Sequence, residues 1–502
     1  MTHPIAPVDG NDRRLLDQVF PSNWVNPTPK KRYDLVVVGA GTGGLVSAAG
    51  AAGLGAQVAL VERHAMGGDC LNVGCVPSKA LIAAARNWER ARQATEFGGP
   101  TVTGPGDFGA AMTRLRRLRA DLSPVDGVPR LAALGVDVFL GDGSFIGVDR
   151  LAVGGVSLGF RRAIIATGAR PVAPPIPGLD AIDYYTNESI FSLTQLPARV
   201  VVIGGGPIGC ELAQAFARLG SSVTLLDHAA SILSRDDAEA AAVVRQSLVA
   251  DGVTIHTGVQ IEGVRRDGET IVIALDAAGQ ATSIPADALL VAAGRAPNVE
   301  QLGLDAAGVS IDRSGVVVDD RLRTTNPRIF AVGDVCSRYQ FTHAADAQAR
   351  LALANALFFG RGRHTNLIYP RCTYTAPELA QVGLTADEAA TRGIRVDTIT
   401  VRFDEVDRAI LDGESTGFLR IHLRRGSDRI VGITIVGANA GELISEGTLA
   451  LSRRIGLRRL GRAIHPYPTR SEAYRKAADA LNRTRLTPNA KRLLTGWFKW
   501  MR

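Results

Sequence analysis

The longest uncharged stretch of the chain runs from Leu35 to Val61, 27 residues without an acid or a base. Its length suits a membrane span, but seven glycines interrupt it, clustered at 39–44 and 53–55. The pattern therefore predicts a strand, a Gly-rich turn, a small-residue helix and a second strand. Tyr33–Val38 is the first strand, Gly39-Ala-Gly41-Thr-Gly-Gly44 the turn, and Gln57–Val61 the second strand, closed by Glu62. The same order returns further on. Arg199–Ile203 leads into Gly204-Gly-Gly206-Pro-Ile-Gly209, and Ser222–Leu226 ends at Asp227. In both copies 23 positions separate the first glycine from the acid.

A lone GxGxxG is weak evidence, but here each copy follows a strand, opens a helix and ends in an acid. The glycines permit a tight turn and let a pyrophosphate approach the backbone at a helix N-terminus. The acid accepts from a ribose hydroxyl. Two dinucleotide sites in one chain imply two cofactors exchanging electrons. At the second site Asp227 suits a free 2′-hydroxyl and repels a 2′-phosphate. Its neighbour His228 is no arginine, so NADH is favoured over NADPH. The expected fold is α/β, with two Rossmann-like dinucleotide-binding domains, to which the family resemblance described below adds a C-terminal α/β dimerisation domain.

After Glu62 the chain reads Gly67-Gly68-Asp69-Cys70-Leu-Asn-Val-Gly-Cys75-Val-Pro77-Ser-Lys79. Pro77 suits the first turn of a helix continued by Ala80–Arg90. Cys75 then sits at a helix N-terminus, where the dipole lowers a thiol pKa, and Lys79 lies one turn on. Cys70, four intervening residues away, can close a reducible ring with it. No further Cys/His pair at zinc spacing accompanies them, so no structural metal is expected. Cys210, Cys336 and Cys372 read as small buried hydrophobes.

With this segment, Ala166-Thr167-Gly168-Ala-Arg-Pro171, Val291-Ala-Ala-Gly294-Arg-Ala-Pro297 and Thr324–Asp334, the chain from about Tyr33 to about Pro488 resembles the FAD-dependent pyridine nucleotide–disulfide oxidoreductases. That family includes dihydrolipoyl dehydrogenase, glutathione reductase and mercuric reductase. The resemblance implies that Gly39, Gly41, Gly44 and Glu62 hold FAD, and that Gly204, Gly206, Gly209 and Asp227 hold the nicotinamide dinucleotide. It implies further cofactor contacts at Asp69, Lys79, Thr167, Gly168, Gly294, Gly333, Asp334 and Thr342, with Asp334 on the flavin ribitol. Hydride would pass from nicotinamide through flavin to a Cys70–Cys75 disulfide. Cys75 would be the flavin-proximal thiolate and Cys70 the substrate-facing thiol. Lys79 and Glu211 match the lysine–glutamate pair beside flavin and nicotinamide. Pro207 stands where glutathione-reductase-type members have a gating tyrosine.

Dithiol-disulfide members end in a pattern like H-x-H-P-T-x-S-E, supplied across a dimer interface, with the second histidine as acid/base. This chain reads His465-Pro-Tyr467-Pro-Thr-Arg-Ser-Glu472. Glu472 is the implied orienting acid and Tyr467 takes the catalytic position. An imidazole near pKa 6.5 exchanges protons with thiols at neutral pH, whereas a phenol near 10 does not. Tyrosine here is also a mercuric-reductase feature, and soft thiolates suit a soft cation. The expectation is a mercuric-ion-like metal or electrophile acceptor. The alternatives are a disulfide reductase with His465 or a shifted loop as base, and a quinone or electron-carrier reductase. A purely structural role for the cofactors is set aside because the electron path is complete.

Composition sharpens three points. At 502 residues, 46% hydrophobic and 21% charged, the chain has material for several packed cores. The expected division is an N-terminal extension (1–32), an FAD domain (33–172 and 294–364), a nicotinamide domain (173–293) and a dimerisation domain (365–502). Five cysteines, an odd count, fit a reducing compartment, and the first twenty residues lack a signal-peptide core, so a cytoplasmic protein is expected, which the resemblance implies is a homodimer. Of the net charge of +8, six charges fall between Arg483 and Arg502, where there is no acid. The nearly neutral body argues against nucleic-acid binding. The tail from about 489 ends Trp497-Phe-Lys-Trp500-Met-Arg502, and neither it nor residues 1–32 holds a cysteine, so no metal relay is expected from them. Two readings of that tail stand together: a helix packed on its own dimer with snorkelling lysines, and weak peripheral contact with an anionic membrane.

Overall fold

The computed structural model describes residues 5, 9–277 and 280–502, so residues 1–4 and 6–8 of the N-terminal extension lie outside the described residues. Contacts divide the chain into one unit of residues 1–230 and 251–367 and another of residues 231–250 and 368–502.

In the first unit, Val136–Leu140, Val58–Glu62, Tyr33–Val38 and Val156–Ile165 lie side by side in parallel, and Ile329–Ala331 joins in parallel to Val156–Ile165. The last part of the sheet is antiparallel, through Arg150–Val153 and Ser144–Gly147. The second repeat builds a parallel sheet in the order Thr254–Thr257, Ser222–Asp227, Arg199–Ile203 and Ala288–Val291. Val58–Glu62 and Ala288–Val291 are buried at every position. Strands covered on both faces read as unbroken apolar runs, which is why neither repeat shows a period of two. Each fully buried Val or Leu in them is worth about 1.5–3 kcal/mol.

The helix Thr42–Gly53 returns over the first sheet on its small face, with Gly43, Gly44, Ala48 and Ala51 buried. Ahead of the first strand lies the helix Gly10–Val19, capped by Asp9 in a reciprocal box with Asp12. Its buried Leu15 and Val19 join the core, and it packs on the long helix Phe108–Asp126.

The second unit is a five-stranded antiparallel sheet in the order Arg371–Thr373, Glu378–Gly383, Ile430–Gly437, Phe418–Arg424 and Val396–Arg402. Ala440–Ser452 packs on its central strands, and Glu472–Thr484 on its edge. Ala238–Ala250 also belongs to this unit, where Ser247 Oγ donates to the Ala376 carbonyl at 2.6 Å.

Candidate active site

The two Gly-rich turns share one geometry. Gly39 and Gly204 take φ of +98° and +114°, and a Cβ on either would stand 2.4 or 2.5 Å from a neighbouring backbone carbonyl oxygen, of Ala166 or Ala292. At Gly44 and Gly209 an added Cβ would lie 1.7 and 1.8 Å from the oxygens of Gly39 and Gly204. Only glycine fits these positions. The acids behave alike too. Glu62 accepts from the amides of Ala40 at 2.6 Å and His64 at 2.7 Å, and Asp227 from those of Gly205 at 2.5 Å and Ala229 at 2.7 Å. Each carboxylate thus braces its own turn at the strand end. His228 lies 3.2 Å from Asp227 and is almost wholly exposed.

FAD fits the first turn. A cavity beside it is lined by Gly39, Glu62, Arg63, Asp142, Thr167 and Glu300, which suits a ribose at the Glu62 carboxylate. Asp334 is a second acceptor: burial pushes its carboxyl up to about 6, against the pull of Arg295 at 3.8 Å. A buried carboxyl so placed is suited to take a hydroxyl donor. At the second turn nothing lies within 4 Å of a Cβ on Gly206, leaving its backbone open to a pyrophosphate.

Cys75 is the first residue of the helix Cys75–Arg92, and Cys70 sits on the short helix Gly68–Asn72. Both thiols are free and hydrogen-bonded to each other. That bond from Cys70, helped by Thr342 and the charge of Lys79, holds Cys75 down to about 6 against burial. Cys70, the donor, is pushed well up. Cys75 is exposed to solvent although closely surrounded by protein, and its Sγ lies 3.3 Å from Thr342 Oγ1. One turn along, Lys79 Nζ meets the buried Glu211 at 2.7 Å, so residues 132 positions apart form one ion pair. Cys210 is buried as expected, whereas Cys336 and Cys372 are only half-buried; desolvation pushes the Cys336 thiol up to about 12, which keeps it protonated.

Two groups near the pair were not anticipated. Arg295 binds the Asp69 carboxylate and the Ala169 carbonyl, so it ties the cysteine segment to the Asp334 side. It directly follows Gly294 in a motif already singled out, which was the available signal. Arg119, nearly inaccessible, donates to the Asn72 carbonyl at 2.8 Å and to the fully buried Asp12 at 2.7 Å. Asn72 in turn donates to the Met66 and Gly68 carbonyls. The N-terminal helix thereby braces the loop that carries Cys70. Nothing in the local pattern joins residues 107 positions apart.

In the second unit the Tyr467 hydroxyl donates to Asp407 Oδ2 at 2.8 Å, and that bond, with the charge of Asp407, raises its pKa. The acid expected to orient it, Glu472, is not its hydrogen-bond partner. Glu472 is buried, with Oε2 lacking a partner among the described residues, and reaches Tyr467 only through its charge. Tyr467 itself is 70% exposed, so it turns outward to an acid on a neighbouring surface segment. His465 pairs through Nε2 with Glu446 at 2.9 Å, and its Nδ1 is buried without a partner among the described residues. Among the described residues no cluster of three His, Cys, Asp or Glu side chains is arranged to hold a metal.

Two nucleotide-type turns, a lysine–glutamate pair and a thiolate held by a second thiol define a dithiol flavoprotein fed by a nicotinamide coenzyme. Residues 33–349 match the pyridine nucleotide-disulphide oxidoreductase family and residues 369–478 its dimerisation domain, and the chain belongs to that family. The family is FAD-dependent and uses NAD(P)H. The chain is 37% identical to the mercuric reductase of Streptomyces lividans over 89% of its own length and 95% of the relative's. It is 36% identical to the dihydrolipoyl dehydrogenase of Thermus scotoductus over 90% and 98%. Among solved structures, the HOCl-induced flavoprotein disulfide reductase RclA from Escherichia coli superposes with a TM-score of 0.80, at 28% identity over 89% of this chain and 99% of that one. RclA is also known as a Cu(II) complex.

Proposed function

We propose that this protein is a cytoplasmic homodimeric reductase that takes hydride from NADH and delivers two electrons through Cys70 and Cys75 to a mercuric-ion-like metal or electrophile. FAD, when bound between the two, supplies the two-electron relay. The domain division expected from the sequence is kept in this reading. Relatives at about equal identity carry both the mercuric reductase and the dihydrolipoyl dehydrogenase names, so the side chains have to decide.

The observation that carries the reading is the state of the two candidate bases. Exchange with a dithiol substrate needs a group that moves protons on and off sulfur near neutral pH. Tyr467 is tied to Asp407 with its pKa raised, and His465 is tied to Glu446 with its other nitrogen buried. Neither serves as that base. A soft cation needs none, because it binds the thiolates directly. Cys75 is already deprotonated at neutral pH, and Cys70 becomes so as the metal displaces its proton. The net change, NADH and Hg(II) giving NAD⁺, Hg(0) and a proton, balances without a further reductant. RclA, a solved structure similar to this chain, is known as a Cu(II) complex, which is in keeping with a metal acceptor. Lys79 steadies the thiolate electrostatically and Glu211 holds Lys79 in place. Asp227 favours NADH by repelling a 2′-phosphate.

The test is anaerobic NADH oxidation with thiol-complexed Hg(II) against oxidised lipoamide, repeated with NADPH. Turnover with mercury, and faster with NADH, is expected. Turnover with lipoamide alone would overturn the reading and make His465 the first residue to replace.

A further inference from the structure

The C-terminal helix Pro488–Met501 is well started but unattached. Thr487 Oγ1 accepts from the Ala490 amide at 3.2 Å and Pro488 opens the first turn, a strong N-terminal signal. Yet no residue of the helix is buried. Leu493 and Trp500 are 77% and 76% exposed, and Trp497 and Phe498 both 52%.

Its faces are cleanly divided. At 3.6 residues per turn, Leu493, Leu494, Trp497, Phe498, Trp500 and Met501 share one side. The rings of Trp497 and Trp500 stand 5.2 Å apart on it. Lys491, Arg492, Lys499 and Arg502 fall on the opposite side, and no acid occurs after Asp479. Fourteen residues make about 21 Å of helix, too short to cross a bilayer but enough to lie along its surface. No helix among the described residues is long and apolar enough to cross a membrane.

Charge selects the occupant of the apolar face. The 482 residues before Arg483 carry a net charge of only +2, so a second copy of the chain brings no excess of acid to meet these cations. An anionic lipid surface supplies both halves of the match, headgroup charge for the lysines and arginines and acyl boundary for the tryptophans. We propose that the helix Pro488–Met501 docks the protein peripherally on anionic phospholipid. This stands independently of the electron acceptor.

The test uses the full-length, flavin-loaded protein sedimented with phosphatidylcholine vesicles, with and without phosphatidylglycerol. Binding is expected only with phosphatidylglycerol, lost at high salt, with a blue shift of tryptophan emission. Combined Lys491→Gln, Arg492→Gln and Lys499→Gln should lower partitioning about 100-fold, from roughly 1 kcal/mol per cation near the surface. Trp497→Ser with Phe498→Ser and Trp500→Ser should abolish the blue shift. Flavin content and NADH oxidation report that each variant is folded. Equal binding to neutral vesicles, or unchanged binding by both variants, overturns the proposal. So does a change in subunit assembly on removing residues 489–502 without a change in vesicle binding, which makes a second copy the occupant.

Discussion

The first and second Gly-rich turns are near copies in backbone geometry, yet they are set in different surroundings. At the first, a Cβ on Gly68 would stand 2.7 Å from Gly41 Cα, so the turn is packed against the start of the helix that carries Cys70. That helix is braced again from behind by Arg119 and Asp12. At the second, Gly206 faces open space and the residue after Asp227 is in solvent. The same device therefore serves two ends. One copy is a fixed seat built into the support of the redox pair, fit for a cofactor that stays. The other is an open seat, fit for a coenzyme that comes and goes.

Breaking both turns at the same place is the harshest trial of this contrast. Gly44→Val and Gly209→Val each drive a side chain into a backbone oxygen less than 2 Å away. Gly44→Val is expected to yield protein without bound flavin. Gly209→Val should purify yellow but reduce its flavin with NADH about 100-fold more slowly, as reacting groups are misplaced by an ångström or so. Flavin absorbance and stopped-flow reduction read the two effects. Loss of flavin in both variants would erase the distinction.

The brace behind Cys70 comes next. Arg119→Met strands the fully buried Asp12 charge, and about 3–5 kcal/mol of stability should go with it. Replacing both partners, Asp12→Leu with Arg119→Met, should recover much of that loss, because an apolar pair leaves no unpaired charge. The urea midpoint for flavin release measures both. A neutral Arg119→Met would mean that the N-terminal helix is an ornament to the site.

The smallest effect concerns protons. Cys75 is held down to about 6, so in the NADH-reduced protein its alkylation by iodoacetamide should rise as pH climbs through 6 and level off above about 7. Below that range the thiol is protonated and unreactive. Lys79→Met removes a positive charge that favours the thiolate, so the midpoint should move upward. Mass spectrometry of the labelled peptide follows it. A midpoint that stays put would transfer the whole effect to Cys70 and the helix start.

Much of this is legible in the amino-acid sequence alone. Glycines at 39, 44, 204 and 209, acids at 62 and 227, and cysteines at 70 and 75 declare themselves because each is demanded locally: a tight turn, a strand end, a helix start. The parallel strands were legible as apolar runs for the same reason. The partners were not. Arg295 finding Asp69, Arg119 finding Asp12 and Tyr467 finding Asp407 are contacts between elements remote along the chain, and Lys79 with Glu211 was expected only through the family resemblance. Local pattern carries no trace of them, since a charged residue reads the same whether solvated or paired. Sequence alone thus determined the class of chemistry, two dinucleotide seats and a redox cysteine pair, because those depend on short-range backbone geometry. Tertiary structure alone decided which acid holds the tyrosine, how the Cys70 loop is braced from behind and which helix keeps its apolar face exposed, because those depend on burial and on charges brought together by folding.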